Sequence, residues 1–264
     1  NQLYRDIVMV WKKENKPEQF LLSITNSHRE KWASLKELAA EQRRPVSELV
    51  REAVSEKVDS GQPRRALVLS PHTDDAELGC GGTIAKLVER GWLVHILCFS
   101  AVAERYPGLV DEAARSSGIL GTTHEILDFY TRHFPRDRQE ILQSLCDHSR
   151  QNQYELIFTP ATTDIHQDHG VVTAEALRAF RDCTLLGYEL PWNNLEIKLN
   201  CFVSLDERHV RKKIEALECY ASQKHNPYFD AKFFRSVVRM RGIHLAAAYA
   251  EGFETLKVRL DGML

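Results

Sequence analysis

The stretch Ala66-Leu67-Val68-Leu69-Ser70-Pro71-His72-Thr73-Asp74-Asp75-Ala76-Glu77-Leu78-Gly79-Cys80-Gly81-Gly82 decides how this chain is read. Its first four residues are all apolar, as expected of a strand buried on both faces rather than one with a wet side. A glycine-rich turn follows, and a helix is expected from about Gly82 to Arg90. Leu93 to Phe99 supplies a second buried strand. Beyond it, helix-like stretches at Asp111 to Leu120, Asp137 to Arg150 and Gly170 to Arg181 alternate with strand-like stretches. The latter are Glu125 to Phe129, Leu156 to Thr159 and Leu185-Leu186-Gly187-Tyr188.

Such alternation predicts an α/β fold: a Rossmann-like, mainly parallel sheet with helices on both faces. Sheets of this kind bind ligands beyond the carboxyl ends of their strands. Two clusters stand at such ends. Pro71-His72-Thr73-Asp74-Asp75 follows the first strand, and Asp164-Ile165-His166-Gln167-Asp168-His169-Gly170 follows the fourth. Imidazole nitrogens and carboxylate oxygens are standard zinc donors, and a catalytic zinc keeps three protein ligands with one position open. Two loops meeting in one crevice can supply that mixed set. Gly79, Gly81 and Gly82 do not make a phosphate loop, because the Lys-Ser/Thr ending is absent; they suit close packing of a turn and helix start.

The chain upstream has a different character. Ser60-Gly61-Gln62-Pro63 punctuates two periodic regions and divides residues 1–62 from a second domain, 63–264. In the first, Phe20, Leu22 and Ile24 alternate within a strand-like Gln19 to Thr25, and Ser27 with Glu30 has capping-box spacing. Trp32, Leu35, Leu38 and Ala39 recur at helical period, Arg43-Arg44-Pro45 breaks that helix, and Ser47 caps a second. This small, mostly helical extension resembles, over about residues 18–58, the ribbon-helix-helix fold, in which paired strands enter the DNA major groove. Gln19, Leu21, Ser23 and Thr25 would face the DNA and include no Arg or Lys, and the charge of the segment is nearly balanced. A dimerising or docking extension, giving a homodimer, is therefore expected ahead of nucleic-acid binding.

Bulk properties leave an ordinary globular protein. The 264 residues are 43% hydrophobic and 27% charged with a formal net charge of -2, which makes no case for a polyanion partner. No apolar run approaches the roughly 20 residues of a membrane span, and the first residues lack the form of a signal peptide. The six cysteines are scattered without a C-x-x-C pair, so reduced thiols and a cytoplasmic location are expected.

At the two clusters the sequence resembles the PIG-L/LmbE-type deacetylases, which act on N-acetylglucosaminyl-phosphatidylinositol, on the mycothiol and bacillithiol precursors and on other amino sugars. The family's Pro-His-Pro-Asp-Asp stands here as Pro71-His72-Thr73-Asp74-Asp75, with Thr73 in place of proline, and its His-x-Asp-His as His166-Gln167-Asp168-His169. Leu120-Gly121, the Lys213 to Gln223 stretch and Tyr249-Ala250-Glu251-Gly252-Phe253-Glu254 extend the likeness to about residues 64–260. The resemblance implies a Zn2+ ion (Fe2+ and Co2+ being alternatives) held by His72, Asp75 and His169. It implies Asp74 as general base, His166 as stabiliser of the oxyanion and Asp168 as the residue orienting a neighbouring histidine. The implied reaction is metal-activated attack of water on the acetamide of an N-acetylglucosamine-type sugar, a linear amide. A larger N-acyl or thiol-sugar conjugate at the same site is the alternative, and a DNA-binding sugar sensor a further one. By position after strand ends, Arg105, Asp128, Arg132 and Tyr188 are candidate substrate contacts.

Overall fold

The computed structural model describes residues 36–46, 48–49, 63–101 and 108–259. The chain divides into two units, Asn1–Gln62 and Pro63–Leu264. In the first, residues 36–41 are helical and the helix ends at Arg43, which takes the left-handed conformation (φ 52°) two residues before Pro45. The strand expected at Gln19 to Thr25 and its Ser27 cap lie outside the described residues.

The second unit runs β1 (Arg65–His72), α1 (Asp75–Glu89), β2 (Leu93–Ser100), α2 (Leu109–Leu120), β3 (Thr123–Ile126), α3 (Arg138–Gln151), β4 (Leu156–Pro160), α4 (Gln167–Ala179) and β5 (Thr184–Tyr188). It continues with β6 (Cys201–Leu205), α5 (Glu207–Glu218), α6 (Ala231–Gly242) and β7 (Tyr249–Lys257). One seven-stranded sheet results, in the order β3-β2-β1-β4-β5-β7-β6. The first five strands in that order are mutually parallel, and β7 pairs antiparallel with both β5 and β6.

The apolar run of β1 explains the two layers of helices. Ala66 and Val68 enter one core with Ile84 of α1, Ala216 and Leu217 of α5 and Phe234 of α6. Leu67 and Leu69 enter the other, with Ile141 and Leu145 of α3 and Val172 and Ala176 of α4. Successive strand residues point to opposite faces, so a strand covered on both sides has no polar position to spare.

The helix expected from about Gly82 begins earlier, at Asp75, and is broken at Cys80 (φ -142°, ψ 22°). Side chains remote in sequence join its halves. The Gly82 and Thr83 amides donate to Glu251 Oε1 and Oε2 at 3.0 and 2.6 Å, and the Leu78 carbonyl accepts from Lys213 Nζ at 2.7 Å. Lys213 and Glu251 themselves form a buried ion pair at 2.7 Å. The glycines give the room: a Cβ at Gly79 would stand 2.2 Å from the Tyr188 ring, and one at Gly82 would stand 2.5 Å from Leu205. The helix at Gly170 likewise starts earlier, at Gln167, so that Asp168 and His169 lie in its first turn.

Candidate metal and catalytic site

β1 and β4 are neighbours at the centre of the sheet, and from them the chain proceeds to opposite edges. Their carboxyl ends therefore flank the crevice where the strand order reverses, the place such sheets keep for ligands. His72 closes β1, Asp75 opens α1, and His166 is the N-cap of α4 with His169 in the turn after it.

The packing brings three donor atoms into one small triangle. His72 Nδ1 is 3.1 Å from Asp75 Oδ2, His169 Nε2 is 3.2 Å from the same oxygen, and the two ring nitrogens are 3.2 Å apart. Ligand atoms on a four-coordinate ion with bonds of about 2.0–2.1 Å stand roughly 3.3–3.4 Å apart. The triangle thus has the size of one face of such a tetrahedron. His166 adds a third ring, with ligand nitrogens of the three histidines within 4.8 Å of one another. Of the two sets, the one containing Asp75 is tighter.

Carboxylates behind the rings set the direction of their lone pairs. Asp164 Oδ2 lies 2.7 Å from His169 Nδ1, and Asp168 Oδ2 lies 3.2 Å from His72 Nε2. Each outer nitrogen then carries the proton and each inner one presents its lone pair to the triangle, which is how neutral histidines are readied for metal ligation. Asp168, fully buried, is itself held by the Arg132 and Phe134 amides at 2.5 and 3.3 Å.

The electrostatics suit a cation. Burial opposes charge on His72, but hydrogen bonds from the ring to Asp168 and Asp75 outweigh it and raise the ring to about 9. Burial also opposes charge on His169, yet Asp75 and Asp164 raise it to about 10. Asp75 is held well below the usual carboxylate range, the positive field of His169 overcoming the cost of burial. The carboxylates thus place a negative field where the three donors converge, one that holds protons on the rings and that a divalent ion can satisfy in their place.

Asp74 stands apart from this bonding. Its carboxylate caps no helix amide, and burial followed by the charge of Asp75 pushes it up to about 7. A carboxyl raised toward neutrality and bonded to no other side chain is suited to taking up a proton. The turn that carries it is clamped by Tyr220, whose hydroxyl donates to the Thr73 carbonyl at 2.5 Å and stands 3.0 Å from Glu77 Oε1. His166 Nδ1 accepts the Asp168 amide at 3.2 Å, leaving Nε2 as the protonated nitrogen of the neutral ring. Its basicity is lowered, chiefly by burial and then by His169 and His72.

Among the substrate contacts expected from sequence, Tyr188 is corrected. It is fully buried, its hydroxyl donates to the Leu69 carbonyl at 2.9 Å, and its ring packs under Gly79. A side chain so enclosed is core and cannot meet a sugar. Arg132 takes part through its backbone amide in a left-handed conformation (φ 70°), while the residue itself is exposed. Asp128 is exposed after β3, and Arg105 lies outside the described residues. Asp164 was not singled out as a functional residue by the sequence reading. Its signal was present in the quoted loop, five residues before His169, the residue it orients.

Comparison with known proteins now bears on this geometry. Residues 67–180 match the family PIG-L: GlcNAc-PI de-N-acetylase, a stretch that contains both clusters. The chain is similar to this family over that stretch, which is less than half of its length. It is accordingly an enzyme acting on an amide C–N bond. Among relatives, the uncharacterized deacetylase YaiS of Escherichia coli (strain K12) is 27% identical over 166 residues, covering 59% of this chain and 90% of its own. Two solved structures share the fold. N,N'-diacetylchitobiose deacetylase from Pyrococcus horikoshii superposes with a TM-score of 0.62 at 21% identity, over 73% of this chain and 84% of its own. GalB, the 4-carboxy-2-hydroxymuconate hydratase from Pseudomonas putida KT2440, does so with a TM-score of 0.64 at 23% identity, over 74% and 97%. At these identities the likeness is one of fold. No helix among the described residues is long and apolar enough to cross a membrane, and all six cysteines are unpaired.

Proposed function

We propose that this chain is a zinc-dependent hydrolase that removes the acetyl group from an N-acetyl amino sugar of the N-acetylglucosamine type. The observation that carries the reading is the triangle of His72, Asp75 and His169 donors, with the carboxylate of Asp74 next in the chain to Asp75 and outside that bonding. Those three residues would hold the ion, and Fe2+ or Co2+ could take the same donors. When bound, the ion supplies a Lewis acid that polarises the acetamide and lowers the pKa of water. Asp74 accepts the proton of the attacking water, and the C–O bond forms at the acetyl carbon. Negative charge gathers on the carbonyl oxygen, and His166 Nε2–H is the donor offered to it. The C–N bond then breaks as Asp74 returns its proton to the leaving amine, giving acetate and a free amino sugar. Asp164 and Asp168 hold the rings throughout.

The amino-sugar choice is supported by the chitobiose deacetylase among the structural neighbours and by the family's own description. The test is acetate release from a panel of N-acetylglucosamine compounds, nucleotide-linked ones included. It is run with zinc, after chelation and with Asp74→Ala. Zinc-dependent release lost in the variant supports the reading. Stoichiometric metal without release from any panel member sinks the substrate and leaves larger N-acyl or thiol-sugar conjugates to be tried. We place the enzyme in the cytoplasm on its scattered, unpaired cysteines, and assign residues 1–62 to dimerisation or docking. A one-protomer mass for the full chain in sedimentation equilibrium would count against the dimer.

A further inference from the structure

We propose a second metal site at the opposite end of the sheet, in which His95, Glu125 and His148 hold a late first-row divalent ion such as Zn2+. The inference is independent of the reaction proposed above. His95 lies near the start of β2, in register with Thr123 of β3, and Glu125 is two residues further along β3 on the same face. In α3 the inward stripe of Ile141 and Leu145, both fully buried, continues at helical spacing to His148. A position where the stripe calls for an apolar side chain therefore delivers an imidazole onto the sheet, above His95 and Glu125.

The three side chains come from three elements and converge. Nε2 of His148 and Nε2 of His95 approach the same oxygen, Glu125 Oε2, at 3.5 and 3.9 Å. The two rings stack with centroids 6.0 Å apart and planes 24° from parallel, and one ligand atom from each residue lies within 4.8 Å of the others. Tetrahedral donors stand roughly 3.3–3.4 Å apart, so closure draws Glu125 in by some tenths of an ångström and the two imidazole nitrogens together by up to about 1.5 Å. The Glu125 side chain, 47% exposed, is free to make that shift.

Two further observations point to a ligand. His95 Nδ1 is 2.9 Å from Thr123 Oγ1, so a proton donated there leaves the Nε2 lone pair directed at Glu125. His148 Nδ1 is buried without a hydrogen-bond partner, and the ring's other nitrogen has only the 3.5 Å contact with Glu125. Buried polar atoms in native proteins nearly always find partners, so a ring this poorly served calls for an explanation. An ion between the three residues would give the ring a strong partner at Nε2, the nitrogen that faces Glu125. Two imidazoles and one carboxylate select Zn2+, Co2+, Ni2+ or Cu2+ over Mg2+ or Ca2+, which take oxygen. Bound there, the ion would tie β2, β3 and α3 together and stabilise the fold by linkage.

The test uses the full chain as His72→Ala/His169→Ala, which removes the carboxyl-end ligands, titrated with Co2+ by equilibrium dialysis and visible absorption. One equivalent is expected, with the band of a low-symmetry site, and it should vanish when His148→Leu is added. Leucine continues the apolar stripe, circular dichroism checks the fold, and His148→Leu alone should retain acetate release. Thr123→Val should weaken Co2+ by about tenfold and Glu125→Gln by about tenfold or more. No Co2+ on the double variant, or Co2+ retained after His148→Leu, overturns the site. Should His148→Leu fail to fold, the exposed Glu125→Gln decides: unchanged affinity overturns the site, and a drop of about tenfold or more upholds it.

Discussion

Two clusters of histidine and carboxylate lie at the two ends of one sheet, built from the same donor types on different electrostatic grounds. At the carboxyl end, His169 is 2% exposed and its supporting Asp164 and Asp168 carboxylates are fully buried. At the amino end, the rings are 22% and 14% exposed and share one carboxylate that is 47% exposed. Charges in a dry setting interact several times more strongly than in water, so the first cluster should grip an ion far more tightly. It also has Asp74, a carboxylate left out of the bonding, whereas Glu125 is already turned to both rings. Ligands make a metal site; a free acid beside the ligands makes a catalyst.

The comparison is broken most directly at Asp75. Asp75→Ala removes the oxygen shared by both rings, and we expect carboxyl-end metal and acetate release both to fall to background while the amino-end equivalent stays. Retention of both ions by Asp75→Ala in equilibrium dialysis would contradict the assignment. Asp74→Asn separates ligation from catalysis: the metal content should be unchanged and kcat should drop by about 10²–10⁴-fold, the range of a lost general base. Lys213→Met leaves Glu251 buried without its counter-charge and removes the Leu78 half of the α1 splice, at a cost of about 3–5 kcal/mol in urea unfolding. That change should also weaken carboxyl-end metal, since α1 carries Asp75, and spare the amino-end site. The smallest effects belong to the outer carboxylates. Asp164→Asn and Asp168→Asn should each loosen carboxyl-end metal by about 10–100-fold in competition with a chelator, with amino-end affinity unmoved.

Much of this was legible in the chain because the signals are short-ranged. An all-apolar Ala66-Leu67-Val68-Leu69 suits a strand covered on both faces, and β1 does have a core on either side. His72 to Asp75 and His166 to His169 announce themselves by type and spacing directly after such strands. Helix starts were read late at α1 and α4 because glycine suggests a turn until its neighbours are known. At Gly79 and Gly82 those neighbours are Tyr188 and Leu205, more than a hundred residues away. Tyr188 was misjudged for the same reason: a strand end marks the mouth of a crevice or its floor, and only the packing of α1 decides which.

The sequence by itself determined the layered α/β class and which residue types stand at the strand ends, since both follow from a side chain's nearest neighbours along the chain. Tertiary structure alone decided that β1 and β4 lie side by side, and hence that His72 meets His169 across 97 residues of chain. It decided which carboxylate orients which ring, that the Arg132 amide rather than its guanidinium holds Asp168, and that Lys213 and Glu251 splice α1. It also gathered His95, Glu125 and His148 from three elements with no shared motif. Such contacts depend on distances between elements, and those are set when the apolar faces pack, after local propensity has been used up.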